Sequence, residues 1–202
     1  ECYAIAEYFK SIGVTAVVVK YRLPNCGHKE VPLEDIQEAL RFVRKNAERL
    51  GVDPEQVGVC GGSAGGHLAA YTSTFTPDEE KPAFSILFYP VITGETWESH
   101  QDSFAQLLGK KRTIAEQEYY SLHNRVTPTT PPALILLSDD DAEVPTLSSI
   151  LYYNALKYYG IPASMHIWPN EGHGWAAKPW CTCWDKAKPI IEDWLSIQRK
   201  KQ

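Results

Sequence analysis

The chain has 202 residues, 44% of them hydrophobic, and a formal net charge of -5. That length and apolar content suit one soluble globular domain with a substantial core. An acidic chain without a basic cluster argues against nucleic acid as the main partner, and no apolar run approaches the roughly 20 residues that would span a bilayer.

Ala4, Ile5, Tyr8, Phe9 and Ile12 fall at helical spacing, so the chain opens inside or at the edge of an amphipathic helix. There is no initiator methionine and no signal-like segment. An N-terminal portion is therefore expected to precede Glu1, and the sequence assigns no compartment. Gly13 ends the helix. Residues 14–21 (VTAVVVKY) read as a strand buried on both faces, because β-branched residues dominate without alternation. After a loop at 23–30, Pro32 opens a second helix whose stripe is Ile36, Ala39, Leu40, Val43, Ala47 and Leu50. Gly51 stops it, and Asp53-Pro54-Glu55 turns into the apolar run Val57-Gly58-Val59-Cys60.

Gly61-Gly62-Ser63-Ala64-Gly65-Gly66-His67 comes next, followed by a helix at 66–74, a polar loop and a strand at 84–89. Residues 91–131 break the rhythm, with helical patches at 104–108 and 114–122 and a turn cluster at 127–132. An insertion of that length reads as a functional excursion such as a lid. A strand at 133–137 leads into Asp139-Asp140-Asp141. A helix at 147–159, a strand at 163–168, a loop carrying His173 and a helix at 183–199 complete the chain. Strands alternating with helices imply a largely parallel α/β sheet in a single domain over 1–202.

The five cysteines (Cys2, Cys26, Cys60, Cys181, Cys183) make an odd count, so no disulfide scaffold is expected. Cys181-Thr182-Cys183 could suggest a metal or redox pair. It lacks the second pair or His-x-His partner of a zinc site, and no metal is expected.

The G-x-S-x-G pattern at Gly61–Gly65 is weak alone. Its strand-to-helix context makes it a nucleophile elbow, a turn so sharp that the serine Oγ stands at the carboxyl edge of the sheet. Glycines on either side would be required because strand and helix approach too closely for a Cβ. A serine hydroxyl needs a histidine to take its proton, and the histidine needs a carboxylate to fix its tautomer. Ser63, Asp141 and His173 each fall in a loop after a predicted strand, in the chain order Ser…Asp…His. The bland alternatives are a serine in a glycine-rich turn, a histidine capping a strand end and three solvated turn acids. His67, one turn into its helix, reads as a packing or hydrogen-bonding residue. Trp175, Trp180 and Trp184 could stack on sugar rings or belong to the core.

Several motifs carry a resemblance. Gly62-Ser63-Ala64-Gly65-Gly66-His67-Leu68-Ala69-Ala70, Asp140-Asp141-Ala142-Glu143-Val144-Pro145 and Gly172-His173-Gly174-Trp175 resemble α/β-hydrolase esterases related to acetylxylan esterases. Tyr21-Arg22-Leu23-Pro24, Pro32-Leu33-Glu34-Asp35 and Tyr89-Pro90-Val91-Ile92 are similar to the same group. The resemblance implies an α/β-hydrolase fold, a mostly parallel sheet flanked by helices, lacking its N-terminal strands. It implies Ser63 as nucleophile, His173 as general base and then acid, and Asp141 as the orienting carboxylate. Asp141 is preferred over Asp139 and Asp140 by the D-x-x-V-P pattern, with Asp140 the main rival. The Ala64 N–H would be one oxyanion donor. The group's His/Pro-Gly-Gly-Gly-type loop, upstream of the first helix, has no counterpart after Glu1. The implied activity is removal of small acyl groups from a carbohydrate such as acetylated xylan, through an acyl-serine and without cofactor. The alternatives are a prolyl-oligopeptidase-type peptidase and a non-catalytic hydrolase-fold binding protein.

Overall fold

Four short apolar segments form one parallel sheet in the computed structural model, which describes residues 2–25, 28–95 and 99–199. They are β1 (Val59–Gly62), β2 (Ser85–Phe88), β3 (Ala133–Ser138) and β4 (Ala163–Trp168), in spatial order β1-β2-β3-β4. Val59 lies opposite Ser85, Ser85 opposite Ala133 and Ala133 opposite Ala163, so the strands start level. Their carboxyl ends therefore open along one edge, where a parallel α/β sheet gathers its functional loops. The central strands β2 and β3 are buried throughout, whereas β1 and β4 are partly exposed. That contrast separates strands paired on both sides from strands paired on one among the described residues.

Eight α-helices surround the sheet among the described residues: α1 (Cys2–Ser11), α2 (Val31–Lys45), α3 (Ala47–Leu50), α4 (Ala64–Phe75), α5 (Gln101–Leu108), α6 (Ile114–Tyr120), α7 (Thr146–Tyr158) and α8 (Thr182–Arg199). α4 packs on β1 and β2, α7 on β3 and β4, and α2 on α4. α1 lies against α8, with the Tyr8 ring 4.9 Å from Trp184 and the Tyr8 hydroxyl donating to the Lys188 carbonyl. Ile86, Leu87, Phe88 and the Leu134–Leu136 stretch are sealed from solvent, together with Phe104, Leu122 and Ile191. Each such side chain contributes about 1.5–3 kcal/mol through burial. No helix among the described residues is long and apolar enough to cross a membrane.

Two expectations need correction. Residues 14–21 join no strand ladder among the described residues, the Val14 N–H donating to the Phe9 carbonyl at 2.9 Å, and Val17 and Val18 are exposed. β-branched composition favours an extended chain, but a strand also needs a neighbour for its N–H and C=O groups. The second helix does not run unbroken to Leu50. Asn46 interrupts it at φ -106°, its side-chain amide donating to the Phe42 carbonyl at 2.7 Å, an asparagine competing with the helical ladder.

The segment 91–131, described except for residues 96–98, carries α5 and α6 and a 3-10 turn at Leu122–Arg125. Phe104, Leu122 and Val126 anchor it in the main core. Cys26 lies outside the described residues.

Candidate active site

Ser63 follows β1 directly and precedes α4, with φ 54° and ψ -120°. A non-glycine residue there is strained by about 1–3 kcal/mol and persists only where the surroundings dictate it. Here they do. The Ser63 N–H donates to the Phe88 carbonyl at 3.0 Å, and its own carbonyl accepts from His67 at 3.0 Å and Val91 at 3.3 Å. The glycine expectation needs a correction of detail. A Cβ at Gly61 would fall 2.1 Å from the Gly65 carbonyl oxygen, and one at Gly66 would fall 2.8 Å from Pro90 Cβ. At Gly65 an added Cβ meets nothing within 4 Å. Crowding thus fixes Gly61 and Gly66, whereas no neighbour crowds a side chain at Gly65.

The loops after β1, β3 and β4 bring the three singled-out side chains into one row. His173 Nε2 lies 2.8 Å from Ser63 Oγ, and His173 Nδ1 lies 2.6 Å from Asp141 Oδ2. With a carboxylate at Nδ1, that nitrogen carries the proton, leaving Nε2 to accept from the serine hydroxyl. The Asp141 side chain is 1% exposed and that of His173 10%. A buried carboxylate needs partners, and Asp141 Oδ1 accepts from the N–H groups of Glu143 and Val144, each at 2.9 Å. Asp140 does not reach the imidazole in this way. Its Oδ1 accepts from the Gly172 N–H at 2.9 Å and so holds the histidine loop.

Tyr89, met in the sequence only within Tyr89-Pro90-Val91-Ile92, proves to be a neighbour of His173. It sits at φ 35° just beyond β2, its ring centroid 4.6 Å from that of His173, and its hydroxyl accepts from the Ala176 N–H at 3.1 Å. A tyrosine before proline at a strand end was the available signal. Trp175 and Trp184 are core residues against Phe88, whereas Trp180 is 78% exposed.

Ala64, the first residue of α4, is exposed, and Ser63 makes no side-chain cap to that helix. Ala64 borders a cavity of about 360 Å³ whose walls include His67 and Tyr71 of α4, Phe104 and Leu107 of α5, and Leu23. Nothing in the sequence of 101–108 announces this wall, since it arises only when α5 folds back onto α4.

His67 is buried, its Nδ1 donating to the Val91 carbonyl at 3.1 Å while Nε2 has no hydrogen-bond partner among the described residues. Burial depresses its pKa from 6.5 to about 4, against a smaller opposing pull from the Val91 bond. Between those values the unfolded chain binds a proton that the fold refuses. His67's contribution to stability is therefore complete above pH 6.5 and lost as pH falls toward 4, on the order of 3 kcal/mol in all. Urea denaturation at pH 7 and pH 4.5 should show this loss, and His67→Asn, which keeps a donor for Val91 and does not titrate, should flatten it. Equal pH slopes in both proteins would remove His67 as the cause.

A sequence model described as the alpha/beta hydrolase fold matches residues 3–177. The chain is 37% identical over 210 aligned residues to an acetylxylan esterase of Xylanibacter ruminicola, covering all of this chain but 43% of that protein. It is 37% identical over 158 residues to endo-1,4-beta-xylanase B of Butyrivibrio fibrisolvens, covering 73% of this chain and 25% of the relative. The chain thus spans less than half the length of these curated relatives. Among solved structures, it is similar to an acetyl ester-xyloside bifunctional hydrolase from Caldicellulosiruptor lactoaceticus. The TM-score is 0.88 and the identity 32%, over 96% of this chain and 75% of that one.

Proposed function

The chain belongs to the α/β-hydrolase fold family, and from that premise we propose that it is a serine carboxylic-ester hydrolase that deacetylates a plant-type polysaccharide or oligosaccharide such as acetylated xylan. The hydrogen-bonded row Ser63–His173–Asp141 carries the reading. The substrate class rests on the acetylxylan esterase and the acetyl ester-xyloside hydrolase to which the chain is similar.

In the first half-reaction His173 Nε2 takes the Ser63 proton as Oγ attacks the acetyl carbonyl, and Asp141 stabilises the imidazolium. The tetrahedral oxyanion forms beside the opening turn of α4, where the Ala64 N–H serves as one donor. Collapse expels the sugar alkoxide, which receives the proton from His173 Nε2, and leaves acetyl-Ser63. Water, deprotonated by the same nitrogen, then releases acetate and restores the serine. Every step is a proton transfer or an acyl transfer among these groups. The cavity beside Ala64 receives part of the substrate, and α5 of the 91–131 excursion covers it.

Acetylated xylo-oligosaccharide supplied to the chain should release acetate, while an acylated peptide amide should remain intact. Cleavage of the amide at a comparable rate would favour the peptidase. Saturable oligosaccharide binding with no acetate released would favour a binding protein.

A further inference from the structure

The base of the His173 loop is tied to the start of α8 by two buried thiols. The Cys181 thiol donates to Glu171 Oε2 at 3.0 Å, and the Cys183 thiol donates to the Asn170 carbonyl at 3.5 Å. The Thr182 hydroxyl donates to the other Glu171 carboxylate oxygen. Cys181 and Cys183 are 3% and 2% exposed. Both sulfurs and a Glu171 carboxylate oxygen lie within 4.8 Å of one another. Glu171 itself sits at φ 128°, a conformation that residues with a side chain seldom adopt. In sequence Cys181-Thr182-Cys183 has no second pair. The fold supplies the missing ligand by doubling the loop back.

We propose that Cys181, Cys183 and Glu171, with the Asn170 carbonyl as fourth donor, form a site for a zinc-class divalent ion that clamps the His173 loop to α8. Two sulfurs select a thiophilic ion and disfavour magnesium or calcium, which take oxygen ligands. Zinc holds sulfur at about 2.3 Å and carboxylate oxygen at about 2.0–2.2 Å, which puts tetrahedral ligand atoms roughly 3.5–3.8 Å apart. With no pair beyond 4.8 Å, the wider pairs reach that spacing by closing no more than about 1 Å, while Cys181 Sγ and Glu171 Oε2, now 3.0 Å apart, move slightly further from each other. On binding, both thiols ionise and their two protons pass to solvent, so that two thiolates and one carboxylate more than offset the ion's double positive charge and leave the site with one net negative charge. Four protein donors make a closed, structural set without a position for substrate. The ion would act on the reaction only by stiffening the segment that ends two residues later at His173.

Cobalt(II) titration of the full chain, kept reduced without added thiol, tests this through thiolate-to-cobalt charge-transfer absorption. One equivalent should bind with a tetrahedral ligand-field spectrum, zinc should displace it, and zinc should raise the thermal midpoint. Cys183→Ser should abolish the charge-transfer signal. Glu171→Gln, which keeps the size of the side chain, should weaken binding at least as much as the roughly 10–100-fold cost of losing an outer-shell partner. The Cys2→Ser/Cys60→Ser double variant should bind as the parent does. Absence of the signal in the parent, or a signal that survives Cys183→Ser and vanishes with Cys2 and Cys60, would overturn the site. Ester hydrolysis enters none of these readouts, so the outcome is independent of the role proposed for Ser63.

Discussion

Ser63→Ala is expected to lower kcat for p-nitrophenyl acetate by about five to six orders of magnitude, with the burst of product lost altogether. The size follows from what the hydroxyl does. Without Oγ no acyl-enzyme forms, and the remaining groups can only assist direct attack by water. The fold should hardly notice. Alanine keeps the Cβ, so the strain at φ 54° is unchanged, and His173 Nε2 loses a donor at a ring that is not fully sealed. The expected stability change is within about 1 kcal/mol. His173→Ala should cost nearly as much, and the double variant little more than either, because nucleophile and base act as one unit. Retention of more than a tenth of parental turnover in Ser63→Ala would remove Ser63 as nucleophile.

What the sequence discloses and what it hides divide along a physical line. The strands at 85–88 and 133–138 are legible because near-continuous apolar runs are what a sheet covered on both faces requires, whereas the one at 163–168, interrupted by Ser164 and His166, is the partly exposed strand β4. Ser63 and His173 are legible because each is bracketed by glycines in a loop that follows such a run. Residues 14–21 have a similar composition but form no ladder among the described residues, since a ladder depends on a neighbour and not on the segment itself. The pattern around Ser63 also cannot say which glycine is crowded. That depends on where the Gly65 carbonyl and Pro90 come to lie. The α5 wall and the approach of Glu171 to Cys181 are tertiary facts with no local pattern. The three consecutive aspartates are the sharpest case, because composition and spacing treat them alike while the fold gives Asp140 and Asp141 different partners.

That difference sets up the second large effect. In Asp141→Asn the new amide is not free to choose its orientation. The N–H groups of Glu143 and Val144, both at 2.9 Å from Oδ1, accept nothing and demand an oxygen there. The amide oxygen therefore stays on them, and its NH2 faces His173 Nδ1 in place of Oδ2. A donor opposite Nδ1 makes that nitrogen the acceptor and moves the imidazole proton to Nε2, where it can no longer take the Ser63 proton. The expected loss in kcat is about 10,000-fold, the scale seen when a triad histidine is held in the wrong tautomer. Asp140→Asn keeps a carbonyl oxygen for the Gly172 N–H, so the histidine loop stays tethered and kcat should fall no more than about tenfold. Steady-state kinetics of the two asparagine variants decide the matter, with circular dichroism confirming that both fold. Should Asp140→Asn prove the more damaging, the carboxylate that orients His173 during turnover is Asp140, and the loops after β3 and β4 must shift to bring it there.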